Sequence, residues 1–547
     1  MQPRILLPIA ALGLVLAAPA AANAAVTPAL NGNTLTLTGD DTNDNFTLDA
    51  NADGNLQHSF GSGANGLKDN TDFDVDPNVE KTLKADGTIT VVVDAQGGND
   101  NVNLQRANLA GATISGGAGD DIIVGSNALD TISGGDGNDR ITGFRGDETI
   151  NGDAGNDVMI WQNGDGDDIN IGGAGADETS IVTGTGDDNM TVSPNGARIR
   201  IERGFTVDME TVERLAIQSF SGNDTLTTQP GIALPMVIDA GSGDDTITTG
   251  DGADLINGGD GNDTLNGAGG GDRIVGDRGG DTMNGGAGDD TTVWNNGDGS
   301  DVMNGDDGVD RVETNLSAGA DTSTLRLENG RVRYDRLNPG PFNLSIGTAE
   351  VFELNTLGGD DTLTTAADVT LPLDVDAGSG NDIIQGGGAG DTIDGGDGND
   401  SIQLRENVAD FVRGGPGADT ATVDALDAVA ADVETVDRPA AQPPAKAGAP
   451  KVTLRVNVKR NVAAVKLACP AGVSECKGSV TLKTAKGKVK TVGKANYTLQ
   501  AGEKKTLRIK LAKGTAKLAK NKKLTVKARV TSGAGRAKTA KLTLRFR

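Results

Sequence analysis

The sequence predicts an all-β chain: a parallel coil of very short strands built in three repeated units, followed by an antiparallel β-sandwich. Three observations carry this prediction. A glycine-aspartate nonapeptide recurs in phase, as GGDGNDRIT at Gly134–Thr142, GGDGNDTLN ending at Asn266 and GGDGNDSIQ at Gly395–Gln403. One aliphatic side chain returns at the same place in each copy, Ile132, Ile141, Leu265 and Ile393 among them. From Lys451 to Arg547 that pattern gives way to apolar-polar alternation, as in KVTLRVNV, KTLRIKLA and KLTVKARV.

The amino terminus, MQPRILLPIAALGLVLAAPAAANAAV, has one basic residue, an apolar core and Ala22-Asn23-Ala24 before an expected cut. Residues 1–24 therefore read as a secretory signal peptide. No other apolar run approaches the length needed to span a bilayer. The mature chain is expected to have no integral membrane segment and to be secreted, extracellular or cell-wall-associated.

Residues 25–112 alternate polar and apolar, as in NTLTLTG and GTITVVVDAQ, and read as a degenerate first unit that caps the coil. Within it, DANADGN places Asp49, Asn51 and Asp53 like half of an EF-hand loop. Phe60 stands where the twelfth-position acid belongs, so the fragment reads as a polar turn. His58 is the single histidine, has no visible acid-base partner and reads as an exposed or turn residue.

Three arrays follow, at 113–235, 236–372 and 373–437. In GGxGxD the glycines permit positive φ and expose carbonyl oxygens, and an aspartate arrives at the sixth position. That is the donor set of a hard cation. The next three residues hold one inward aliphatic and make a very short strand. Two turns and two strands in eighteen residues give one flattened coil.

Acids eighteen residues apart then fall on the same edge: Asp121, Asp139 and Asp157 on one and Asp130 on the other, with Asp245, Asp263 and Asp281 alternating with Asp254, Asp272 and Asp290 in the second array. Glu148 takes the turn-closing place in FRGDETIN, and its longer side chain predicts a weaker or empty site. Stacked aspartates at roughly 5 Å per layer repel one another without a cation. With aromatics at 3% and one inward side chain per nonapeptide, ion binding is expected to supply much of the folding free energy.

A larger duplication encloses the small one. Asp121 to Asp188 maps onto Asp254 to Asp321 at an offset of 133, including the steps of 11, 9 and 11 through Asp157, Asp168, Asp177 and Asp188 and through Asp290, Asp301, Asp310 and Asp321. Trp161 and Trp294 sit at equivalent places and read as packing residues over a widened coil. Strand-like segments such as ARIRIERGFTV and STLRLENGRVRYDRL follow the first two arrays, and SGNDTLTT or GGDDTLTT resumes the coil. The third array closes near Asp410 and Asp419 with VETVDR, similar to METVER in the first.

Residues 438–450, DRPAAQPPAKAGAP with its leading Asp437, form a proline-alanine linker. Residues 451–547 hold 27 of the chain's 49 Lys and Arg against two acids, Glu475 and Glu503, a net of +25 that leaves −53 on the remainder of a chain whose total is −28. The alternation predicts about seven antiparallel strands in a small, basic β-sandwich. In an exported chain, Cys469 and Cys476 are expected to pair locally as a disulfide. The basic face is expected to bind anionic cell-wall polymer or polysaccharide, or to be no more than a solvated face; nucleic acid is disfavoured for an exported chain.

In-phase repetition of GGxGxDxUx over 116–188, 241–321 and 378–420 resembles the RTX, or haemolysin-type, calcium-binding repeat family. The resemblance implies a parallel β-roll binding multiple calcium ions through sixth-position aspartates and turn carbonyls. Carried over, the ligands are Asp121, Asp130, Asp139, Asp157, Asp168, Asp177, Asp245, Asp254, Asp263, Asp272, Asp281, Asp290, Asp301, Asp382, Asp391, Asp400 and Asp419. Many members leave by an exporter reading an uncleaved carboxy-terminal signal, and the amino-terminal signal departs from that. Leu467–Leu482 resembles the disulfide-bearing opening of immunoglobulin-like domains in secreted proteins of high-GC Gram-positive bacteria.

A catalytic reading finds little purchase. One histidine excludes HExxH zinc chemistry, no GxSxG is present, and acid pairs such as Asp120-Asp121 recur where an active site is singular. The leading expectation is a secreted, non-enzymatic calcium-binding protein. An adhesin or matrix protein with a ligand-binding threonine face, including Thr246, Thr264 and Thr282, is the alternative, and a polysaccharide-active enzyme on a β-helical scaffold the third.

Overall fold

A computed structural model of the chain describes residues 26–59, 71, 73 and 81–438, and in the basic segment 451–453, 457–459, 462–468, 475–484, 491–500, 504–513, 523–532 and 537–546. The signal peptide, the linker beyond Arg438 and Cys469 with its proposed disulfide lie outside the described residues. Two units divide at Arg438 and Pro439.

Each nonapeptide does what its pattern dictates. Its last three residues form strands such as Arg140–Thr142, Thr264–Asn266 and Ser401–Gln403. The middle side chain of each turns inward, and Ile141, Leu265 and Ile402 are buried. Arg140 pairs in parallel with Ile122, and Thr264 with Thr246, each one coil of eighteen residues away. The described residues of this unit are strands and turns without helix, wound into a parallel β-solenoid of about 17 turns. Successive nonapeptides alternate between two sheets, so Ile123, Ile141 and Met159 stack in one while Ile114, Ile132 and Ile150 stack in the other. The core is thus two aliphatic rows enclosed by backbone.

The first strands depart from the coil. Thr27–Asn31 lies antiparallel to Thr34–Thr38, which joins the coil in parallel with Thr90–Asp94. Asn45–Ala50 and Leu56–His58 form an antiparallel hairpin whose turn is DANADGN. There Asn51 Oδ1 accepts the N–H groups of Asp53 and Asn55, both at 3.0 Å, and Gly54 adopts φ 73°. This is a self-satisfied polar turn. His58 corrects the sequence expectation: it is buried, edge-on to Phe73 with ring centroids 5.2 Å apart. Strand alternation turns it to the same inner side as Leu56.

The segments between arrays become antiparallel meanders. Asn189–Asn195, Arg198–Glu202 and Thr206–Glu210 pair in succession, with the first strand continuing to Thr225–Thr228 and the last resting on Asp168–Ala174. Thr322–Glu328, Arg331–Asn338 and Phe342–Gly347 repeat this between Val302–Asp307 and Thr362–Thr365. The facing sheet inserts nothing, since Glu178–Val182, Arg214–Gln218 and Met236–Asp239 remain parallel neighbours. The tryptophans fill the widened coils: Trp161 stacks on Phe205 at 3.6 Å and Trp294 on Phe342 at 3.7 Å, and their indole N–H groups donate to Gly166 and Gly299 carbonyls at 3.0 Å. A packing role for both holds.

In the basic unit, taken by itself, the described residues form eight strands in one hydrogen-bonded network, against about seven expected. Among them the pairings are antiparallel except Asn457–Lys459 against Ala537–Phe546, which run parallel.

Candidate metal corners

Between strands the chain turns a corner, and the sixth-position aspartate sits inside it. The N–H of Asp121 donates to Asp139 Oδ1, and that of Asp139 to Asp157 Oδ1, both at 2.8 Å. This relay runs on one edge from Asp44 through Asp100, Asp121, Asp139, Asp157 and Asp177, and Glu213 closes it at 2.8 Å. In the second array the same edge carries Asp254, Asp272, Asp290 and Asp310, closed by Glu350 at 2.9 Å. On the other edge a relay starts at Asp188 and Asp224 and enters the second array through Asp245, Asp263, Asp281 and Asp301. The next starts at Asp321 and Asp361, enters the third array through Asp382, Asp400 and Asp419 and ends on Glu434, opposite Asp391, Asp410 and Asp427.

All seventeen sequence-derived acids lie at such corners, but they differ in what remains free. The second carboxylate oxygen is buried without a hydrogen-bond partner at Asp121, Asp139, Asp157, Asp177, Asp245, Asp254, Asp263, Asp272, Asp281, Asp290, Asp382, Asp400 and Asp419. Asp130 Oδ2 accepts the Ser126 N–H at 2.5 Å, and Asp391 Oδ2 that of Gly387 at 3.0 Å. Asp168 accepts the N–H of Glu148, and Asp301 that of Asp281, both at 2.9 Å.

The first glycine shows what the free oxygen faces. A methyl group on Gly134 would stand 2.3 Å from Asp139 Oδ2 and 2.8 Å from the carbonyl oxygen of Gly152, one coil on. On Gly152 it would meet Asp157 Oδ2 at 2.4 Å and the Gly172 oxygen at 2.6 Å; on Gly267, Asp272 Oδ2 at 2.1 Å and the Gly285 oxygen at 2.7 Å. Carboxylate and carbonyl oxygens therefore converge over a Cα that has no side chain. The next glycines pack coil on coil: Gly135, at φ 117°, lies so close to Gly117 that a Cβ would be 1.9 Å from its carbonyl oxygen.

Burial makes the charge costly. It pushes the carboxyls of Asp121, Asp157, Asp245, Asp263, Asp281 and Asp382 up to about 7, and that of Asp272 up to about 8; the backbone N–H each receives opposes the shift, and nearby acids add to it. Glu148 is raised further, by burial and then by Asp168.

Among the described residues no three His, Cys, Asp or Glu side chains gather at one point. Any cation here must take backbone carbonyls beside one or two carboxylates, all oxygen. That donor chemistry suits a hard divalent ion such as calcium and is poor for zinc or copper.

An outer relay runs alongside. Asp120 Oδ1 accepts the Asn138 N–H at 2.8 Å, and Asn138 Oδ1 that of Asn156 at 2.9 Å. Adjacent acids such as Asp120 and Asp121 thus serve separate relays. Sequence reasoning passed over this one, and over Asp44, Asp100, Asp224, Asp361 and the closing glutamates; it placed Asp188, Asp310 and Asp321 in the duplicated register but not among the ligands. Their spacing departs from eighteen in both directions, from 15 residues between Asp419 and Glu434 to 56 between Asp44 and Asp100.

The class defined by this geometry is a parallel β-solenoid with oxygen-lined corners. Comparison with protein families agrees: the RTX calcium-binding nonapeptide repeat (4 copies) matches residues 113–127, 124–159, 237–265, 266–292 and 374–402. The chain carries RTX calcium-binding repeats in each of its three arrays. No curated protein matches it. No helix among the described residues is long and apolar enough to cross a membrane.

Proposed function

We propose that this is a secreted, non-enzymatic calcium-binding protein whose roll is stiffened by ions at the inner corners and whose basic domain, 451–547, attaches it to anionic wall polymer or polysaccharide. The observation that carries the reading is the row of buried carboxylate oxygens left without hydrogen bonds, since an unpaired buried anion is costly and a cation relieves it. The ligands proposed first are those with a free oxygen, Asp121, Asp139, Asp157, Asp177, Asp245, Asp254, Asp263, Asp272, Asp281, Asp290, Asp382, Asp400 and Asp419. Asp130, Asp168, Asp301 and Asp391 follow as ligands of less open sites. Recurrence of the acids coil after coil supports a binding rather than a catalytic role. The basic domain is read as a small antiparallel sandwich with a local disulfide between Cys469 and Cys476.

Calcium titration of the mature protein from chelated material, followed by calorimetry and far-UV circular dichroism, tests this. Binding of several ions with a gain of strand signal is expected. A fully folded protein that takes up no calcium overturns the reading.

A second reading has one supporting observation. Thr225, Thr246, Thr264 and Thr282 stand side by side on neighbouring strands, with Thr227, Thr248, Asn266 and Asn284 in a second row. Such rows are suited to a hydroxyl-rich polymer, as in an adhesin. Loss of glycan retention on replacing Thr246, Thr264 and Thr282 by valine, with calcium uptake unchanged, would favour it.

A further inference from the structure

On the edge that carries the meanders the inner relay breaks at each meander, and both restarts are built alike. A parallel coil offers the next aspartate a backbone N–H, but the antiparallel strand at each meander does not. Asp188 and Asp321, which begin the new relays, would be left as buried carboxylates with no donor above them. At each an arginine fills the place: Arg203, from the turn after Arg198–Glu202, pairs with Asp188, and Arg336, in Arg331–Asn338, pairs with Asp321 at 2.5 Å. Residues 203 and 336 are 133 apart, the offset of the duplication.

Arg336 is buried, as is Asp321. Its Nε donates to Asp321 Oδ1 at 2.6 Å, Nη1 to Asn296 Oδ1 at 2.8 Å and Nη2 to Ser317 Oγ at 3.3 Å, so the guanidinium is held from two loops, Asn296 in one and Ser317 with Asp321 in the other. It also lies 6.0 Å from the centroid of the Phe342 ring, which itself stacks on Trp294. The fixed positive charge is held against Asp321 Oδ1, while Oδ2 of Asp321 and of Asp188 stay buried without a hydrogen-bond partner. Unlike an ion, it cannot leave.

We propose that Arg203 and Arg336 are resident cations that stand in for calcium at the two meander junctions, so that these junctions are metal-free and divide the roll into three segments that load calcium separately. This rests on the calcium reading above. Its particular consequence is that Asp188 and Asp321 bind no ion although they are in line with residues that do.

The test is calcium stoichiometry of the full mature chain by equilibrium dialysis, with thermal unfolding in calcium and in chelator. Asp321→Asn and Asp188→Asn are expected to keep the wild-type number of ions, while Asp263→Asn loses at least one. Arg336→Ala is expected to gain about one ion and to lose stability in chelator far more than in calcium; Arg336→Lys, which keeps the charge, gains none. Loss of ions in Asp321→Asn, or an Arg336→Ala protein with unchanged stoichiometry and equal destabilisation in both media, overturns the proposal. Arg203→Ala, at a less buried site, gives the same comparison if Arg336→Ala does not fold. A wild-type protein that binds no calcium defeats the calcium reading itself, a separate outcome.

Discussion

Glu148 occupies in the first array the place that Asp281 occupies in the second: the N–H of each donates to the aspartate one coil on, Asp168 and Asp301, both at 2.9 Å. The positions differ by the duplication offset of 133. The extra methylene is accommodated, but both Glu148 carboxylate oxygens are buried without hydrogen bonds, and Asp130 N–H is not drawn into the relay.

Glu148→Asp should restore that corner. Shortening the side chain is expected to raise the calcium count by about one and the melting temperature in calcium by about 2–4 °C. Equilibrium dialysis and calorimetry of the variant check this; an unchanged count means the corner is closed for another reason.

Acidity should act opposite ways with and without calcium. The inner carboxyls are raised by burial from 3.8 to between about 6 and 8 in the folded chain, as at Asp139, Asp263 and Asp272. A group raised on folding favours the folded state below its unfolded value, and that contribution is lost as pH rises through its folded value. In chelator the roll is thus expected to melt at a lower temperature at pH 8 than at pH 5. Calcium competes with the protons, so its affinity rises over the same interval and the trend in melting temperature flattens or reverses. Calorimetric scans at both pH values, in each medium, decide it.

Gly135→Ala should be severe and Gly319→Ala mild. At Gly135 the backbone is at φ 117° and a Cβ would press on the Gly117 carbonyl at 1.9 Å, whereas at Gly319 nothing lies within 4 Å. The expected costs are about 2–4 kcal/mol and below about 0.5 kcal/mol. Urea unfolding in saturating calcium separates them.

Trp294→Ala should cost about 3–5 kcal/mol, because it removes a buried ring stacked on Phe342 and leaves the widened coil hollow. Trp294→Phe, which keeps the stack but not the bond to Gly299, is expected to lose less. Chemical unfolding of both variants, followed by circular dichroism, gives the ranking.

The regular coil was legible because its physics is local: Ile141 must turn inward if Asp139 and Asp157 are to stack, and all three recur in the nonapeptide. The meanders were legible only as strand-rich interruptions. That Arg198–Glu202 runs backwards, or that Arg203 reaches Asp188, depends on pairings between distant segments. His58 was misread for a related reason. A histidine with no visible acid-base partner suggests exposure, but the hairpin partner Asn45–Ala50 fixes its face. Which acids keep a free oxygen was also hidden, since Asp130 and Asp139 occupy the same motif position and differ only through Ser126.

Every inner relay has a direction. The N–H belongs to the earlier coil and the carboxylate to the later one, as from Asp121 to Asp139 and on to Asp157. A coil already in place therefore offers donors to the next stretch of chain to arrive, while a later coil has no such donor to offer backwards. In growth from the amino terminus each arriving carboxylate would meet a donor already in place, with the antiparallel pair Thr27–Asn31 and Thr34–Thr38 at the first end. A chain that crosses a membrane with its amino terminus leading could wind as it emerges, one coil at a time, without waiting for its far end.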